Sequence, residues 1–204
     1  MPQPPRVITA PTTEAISSAE LKPWCGLSAD DDTFDTILDL CRTAAREWYE
    51  TETGRTMHQT TLELALDSFS GSVILLPRAT PLISPITSVK YTDSDGDESP
   101  MSSDDYIADT ESEVGRLVLG YGKSWPSFTP YPSNPIKIRY AAGIATASPI
   151  TQADPLDKIP ILMLAAAMFD NRDAWMDSEA TNPQPKWSVG LNAAISKRKL
   201  DYAF

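Results

Sequence analysis

Between residues 30 and 54 apolar side chains recur at steps of three and four. Phe34, Ile37, Leu38, Cys41, Ala44, Ala45 and Trp48 mark one face of a helix. Asp30, Asp31 and Asp32 supply its cap and first-turn charge, and Gly54 its left-handed stop. Asp35, Asp39, Arg42, Arg46, Glu47 and Glu50 make the opposite, polar face. A shorter helix precedes it, capped by Thr12 or Thr13, with Glu14 in its first turn, Ile16 and Leu21 turned inward, and an end near Lys22 and Pro23. Residues 1–11, with prolines at 2, 4, 5 and 11, read as an extended arm.

From Thr56 the period changes to two. His58, Thr60, Leu62, Leu64 and Leu66 alternate with Met57, Gln59, Thr61, Glu63 and Ala65, the pattern of a half-buried strand. Strands follow at 73–76, 86–91, 106–108, 116–119 and 136–142, six or seven in all, with a hairpin tip at Asp95-Gly96 and a proline-rich excursion over 125–135. Helix resumes at Pro160, suited to a first helical position, and runs to about Met176; its first half, Ile161 to Phe169, is apolar all round and needs cover on several sides. Residues 177–190 read as a linker, and Leu191 to Leu200 as a short helix ending in Lys197, Arg198 and Lys199. The order is helix, sheet, helix: an α+β chain with an antiparallel β-rich portion between N- and C-terminal helices.

Composition narrows the function. The 204 residues carry 17 Lys and Arg against 28 Asp and Glu, a net charge of −11, which repels phosphate backbones and argues against a dedicated nucleic-acid binder. Cys25 and Cys41 lack a C-x-x-C spacing and read as reduced thiols. The longest apolar stretch, residues 159–169, is too short to span a bilayer, and no basic start precedes an apolar run, so neither a membrane span nor a secretion signal is expected.

Candidate chemistry is sparse. His58 is the single histidine, so a triad or a histidine-rich metal site would have to use it; on a strand pattern among threonines it reads as structural. The stretch from Asp93 to Glu98 resembles a calcium loop, but Glu98 stands where Gly is needed and Asp104 where Glu is needed, so it reads as a solvated hairpin tip. Nine acidic and no basic residues lie between Asp93 and Glu113, marking a negative surface for partners. Gly122-Lys123-Ser124 lacks the earlier glycine of a phosphate-binding loop, where Leu117 stands. No catalytic residue, metal ligand or cofactor is assigned. A monomeric β-rich binding module and a metal-dependent hydrolase built on the aspartate clusters are the alternatives to a structural protein.

One resemblance covers about residues 12–175. It rests on Glu20-Leu21-Lys22, Asp30-Asp31-Asp32, Ala44-Ala45-Arg46, Thr53-Gly54-Arg55, Pro81-Leu82, Ile86-Thr87-Ser88-Val89 and Tyr91-x-Asp93-x-Asp95-Gly96. Ile138-Arg139-Tyr140 with Gly143, Pro160, and Ala166 before Asn171-Arg172 continue it. In this order the segments resemble the head-tail connector (adaptor, or head-completion) family of long-tailed phages and gene transfer agents.

The resemblance implies a non-enzymatic virion protein at the head-tail interface, assembled in the host bacterial cytoplasm. It forms a ring, usually twelve-fold, below the portal protein, receives the next tail-completion (stopper) or tail protein, and lets genomic DNA pass. Its implied division is an arm over 1–11, a helical bundle from 12–55 and 157–176, a β-rich insertion over 56–145, and a linker with a docking segment over 177–204. Leu191, Ile195, Lys197, Arg198, Lys199 and Leu200 are the expected portal-docking residues, on a segment the fold is expected not to need. Asp93, Asp95, Asp97 and Glu98 are the expected channel- or tail-facing loop, and Ile161, Leu164, Met168 and Phe169 the expected inter-subunit packing.

Overall fold

Leu62 and Leu64 are buried while Thr61 and Glu63 are half exposed, and the alternation builds β2 (Thr60–Leu66) into the middle of a sheet. The computed structural model describes residues 4–82, 86–143, 154–170 and 189–200, which form two compact units. The first takes in residues 4–12 and 54–143 and is β-rich; the second takes in 13–53, 154–170 and 189–200 and is helical, so the chain is α+β.

In the first unit, β1 (Arg6–Thr9), β2, β8 (Ile136–Ala142), β4 (Ser88–Thr92) and β5 (Glu98–Pro100) lie side by side in that order, each pair antiparallel. Register fixes the core: Leu62 faces Tyr140 and Leu64 faces Ile138, and all four are buried. A second sheet, ordered β3 (Val73–Leu75), β7 (Arg116–Leu119) and β6 (Tyr106–Asp109), sends Ile74 and Leu117 into the same apolar cluster. Phe69 stacks on Trp125 with ring centres 4.6 Å apart, so the proline-rich excursion also contributes to this packing. Beyond β8, Gly143 has φ +101°, and a Cβ there would sit 2.1 Å from the His58 carbonyl oxygen, so only glycine fits.

Two strands escaped the sequence reading. The arm pairs with β2 as β1, and Glu98–Pro100 pairs with β4 as β5. Both are edge strands, β1 preceded by Pro5 and β5 ended by Pro100, and too short to show a period.

The helical unit begins with α1 (Ser18–Leu21), four or five residues later than expected from a cap at Thr13 or Thr12. Ser17 is the cap, and its hydroxyl and the Glu20 carboxylate form a reciprocal capping box. A 3-10 turn over Lys22–Cys25 follows, closed by Gly26 at φ +69°. α2 (Asp35–Thr53) ends before Gly54 at φ +72°, as read, but starts after the Asp30 to Asp32 run. Those aspartates do not cap it; Asp32 and Asp35 instead hold the buried Lys22 ammonium at 2.9 and 3.0 Å.

α3 (Pro155–Asp170) starts five residues before Pro160, because Asp154 provides the cap, its carboxylate accepting from the Leu156 amide at 2.9 Å, and Pro155 occupies the first position. Pro160 lies inside the helix and is buried. The expected continuation to Met176 and the linker over 177–188 lie outside the described residues. α4 (Val189–Arg198) is the expected short helix, and it packs on α2 and α3.

Candidate functional site

The inward side of α2 is rotated from the expected one: Leu38 and Ala45 of the expected apolar face are buried, and Arg46, Tyr49 and Glu50 join them. Arg46 and Glu50 are 4% and 1% exposed, whereas Ala44, assigned to the apolar face, is exposed. Arg46 donates to Glu14 at 2.7 Å and to Glu50 at 3.0 Å, and Thr43 donates to the other oxygen of Glu14 at 2.9 Å. Burial alone would lower the guanidinium pKa, but Glu50 and Glu14 outweigh it and hold it above its ordinary value. Hydropathy places such residues outside because it scores each alone, not as an ion-paired cluster.

A second polar cluster ties α2, α3 and α4 together. The Tyr49 hydroxyl donates to Asp157 Oδ1 at 2.6 Å, and Arg198 donates to both Asp157 oxygens at 2.6 and 2.5 Å and to Asp154 at 3.1 Å. Burial, and then the Asp157 carboxylate, push the Tyr49 phenol well up; the bond to Asp157 does the same for Arg198. In each cluster one guanidinium stands between two carboxylates, and among the described residues no three His, Cys, Asp or Glu side chains gather to hold a metal.

These contacts change the role of the C-terminal helix. Leu191, Ile195 and Leu200 are buried within the unit, Arg198 is held by Asp157, and the Leu200 amide donates to the Thr53 carbonyl at 2.8 Å. The segment therefore packs into the helical unit instead of standing apart from it; of the expected docking residues, Lys197 and Lys199 are the ones left exposed. In α3, Ile161, Leu164 and Phe169 are covered within the chain, Phe169 meeting Phe34 edge-on at 5.6 Å, and Met168 is half-buried. The apolar run thus finds its cover at home.

Asp93, Asp95, Asp97 and Glu98 sit at the β4–β5 hairpin, where Asp93 Oδ1 accepts from the amides of Asp95 and Asp97, both at 3.0 Å. The stretch to Glu113 is less negative than its sequence, because cations arrive from other strands and loops. Glu98 meets Lys90 and Lys137, which lower its pKa; Asp105 meets Lys123; Glu113 meets Arg55. Asp109 accepts from Ser112 and from Arg116, and these bonds hold its carboxyl far below the ordinary range.

Sequence reasoning missed the apolar side chains left outside. β3, β7 and β6 bring Val73, Val118 and Ile107 into one cross-strand row on the face opposite Ile74 and Leu117, with Val73 and Ile107 exposed. On α3, Leu156 and Ile159 are exposed one turn apart. The signal for the first was present: when Ile74 and Leu117 point inward, the period of two sends their neighbours outward.

No family model matches the sequence, and no curated protein matches it. Solved structures do share the fold. The chain matches one from the neck of an empty GTA particle computed with C6 symmetry at TM-score 0.76 and 19% identity, covering 99% of this chain and 98% of that one. Over the same shares it matches a chain of the virion of a native gene transfer agent (GTA) particle at 0.74 and 20% identity. A third, from the neck of a native GTA particle computed with C12 symmetry, gives 0.72 and 18% identity. At these identities the likeness is one of fold, and it runs the length of both chains.

Proposed function

We propose that this chain is a non-enzymatic structural protein of the neck that joins head and tail in a phage-like particle. In this reading it is an adaptor: copies form a closed ring, about twelve, below the portal protein, accept the next tail component and leave a passage for the genome. The observation that carries the reading is the end-to-end fold match to chains of particle necks, both units included. The same order of segments that resembled the connector family agrees with it. The net charge of −11 suits a wall past which DNA slides without sticking.

With the apolar side of α4 buried, contact with the portal falls to other surfaces than Leu191, Ile195 and Leu200. The test is genetic. Particles made without this chain should accumulate as filled heads lacking tails, and supplying the chain in trans should restore tail attachment. Complete tailed particles in its absence would contradict the reading.

A further inference from the structure

We propose that the outer face of the three-stranded sheet of one copy packs against the α3–α4 corner of the next, giving a head-to-tail contact between two different surfaces. The inference rests on the ring reading above and names the surfaces that build it. On the sheet, Val73 pairs in register with Val118 and Val118 with Ile107, so the three side chains form one continuous row. Val73 is 41% and Ile107 58% exposed, although each belongs to a strand whose other face is in the core. β-Branched apolar side chains in line on a water-facing sheet surface mark a place that a partner covers.

The partner surface is on the helical unit. Leu156 is 62% and Ile159 45% exposed, and three-residue spacing puts them on one side of α3. Arg198 bonds Asp154 and Asp157 at the start of α3, which fixes the end of α4 beside these residues. Lys197 and Lys199 flank Arg198, are exposed, and form no ion pair among the described residues.

Charge selects which surfaces meet. On the sheet face Asp109 and Arg116 pair with each other, and Lys123 pairs with Asp105 near Asp104. The exposed Asp104 just before β6 and Glu111 just after it, which form no ion pair among the described residues, leave the rim of this face net negative. An acid-rimmed apolar face thus fits a lysine-rimmed apolar corner, while two sheet faces meeting would set like charges together. A contact between different patches propagates from copy to copy and closes into a ring when the rotation allows, whereas a patch that meets itself stops at a dimer. This assigns Lys197 and Lys199 to the neighbouring copy rather than to the portal.

Full-length chains carrying Ile107→Arg or Leu156→Arg provide the test, each substitution being at an exposed position and its folding checked by circular dichroism. In sedimentation velocity up to about 500 µM, wild type should form species larger than dimers, and each variant should associate about tenfold more weakly. An equimolar mixture of the two variants should stop at one-to-one dimers, because one intact sheet face meets one intact corner.

Lys197→Glu with Lys199→Glu should weaken assembly, and adding Asp104→Lys with Glu111→Lys in the same chain should restore it. Wild type that stays monomeric over this range, a mixture that builds rings, or charge reversal without rescue would overturn the contact. If both variants form normal rings, the contact fails and the ring reading stands; if tailed particles assemble without the chain, the ring reading itself fails.

Discussion

In the β-rich unit the described ion pairs border solvent around an apolar core, and in the helical unit two charged clusters are buried in the interior. Glu63 and Arg139 face each other across β2 and β8 at 2.7 Å with the arginine side chain 42% exposed, while Leu62, Leu64, Ile138 and Tyr140 fill the interior. Arg46, by contrast, is 4% exposed between Glu14 and Glu50, and Asp157 is 7% exposed between Tyr49 and Arg198. The difference follows from geometry. A strand sends alternate residues to opposite sides, so charge and core separate; three or four short helical segments must share one small interior, and polar side chains that link them fix their register.

Removing residues from position 189 onward should have the largest effect, since burial of Leu191, Ile195 and Leu200 is worth roughly 1.5–3 kcal/mol each and Asp157 loses Arg198. Loss of about 5 kcal/mol in urea unfolding is expected. A truncated chain with unchanged stability would return α4 to the status of a dispensable tail. Arg46→Met should cost roughly 3–5 kcal/mol, because Glu14 and Glu50 are left beside each other without a cation.

In the β-rich unit, Gly143→Ala should cost about 3 kcal/mol, the methyl group colliding with the His58 carbonyl. Glu63→Gln, which breaks an outside pair, should cost less than about 1 kcal/mol. If Arg46→Met and Glu63→Gln cost the same, the contrast between the units is wrong.

Acid sharpens the comparison at its weak end. Asp109 has a folded pKa depressed below its unfolded value near 3.9, so its contribution is complete above that value and is lost as pH falls through the folded one. The protection of the Glu111 and Ser112 amides, which donate to Asp109, measured against the intrinsic exchange rate at each pH, should therefore fall below about pH 4 and stay flat above it. An Asp109→Asn variant should lose this dependence.

What was legible in the sequence follows the same divide. The alternation from Thr60 to Leu66 and from Ile136 to Ala142, and the tip at Asp95-Gly96, placed β2, β8 and the β4–β5 turn because a period of two leaves little choice of face. α2 was found, but its buried side was rotated toward Arg46, Tyr49 and Glu50, which no hydropathy pattern selects. Pro160 drew the helix start away from Asp154-Pro155, since either proline fits a first position and only the cap decides. The outward row of Val73, Val118 and Ile107 was readable only once the second sheet had set which side was in.

The ring-forming neck role proposed for this chain is open to direct imaging. Cryo-electron microscopy of particles carrying it tests this most directly. A closed ring of copies is expected between head and tail, each showing both units and the same chain-to-chain contact around the ring. Particles whose neck is complete without this chain, or that hold it as a single copy elsewhere, would contradict the claim.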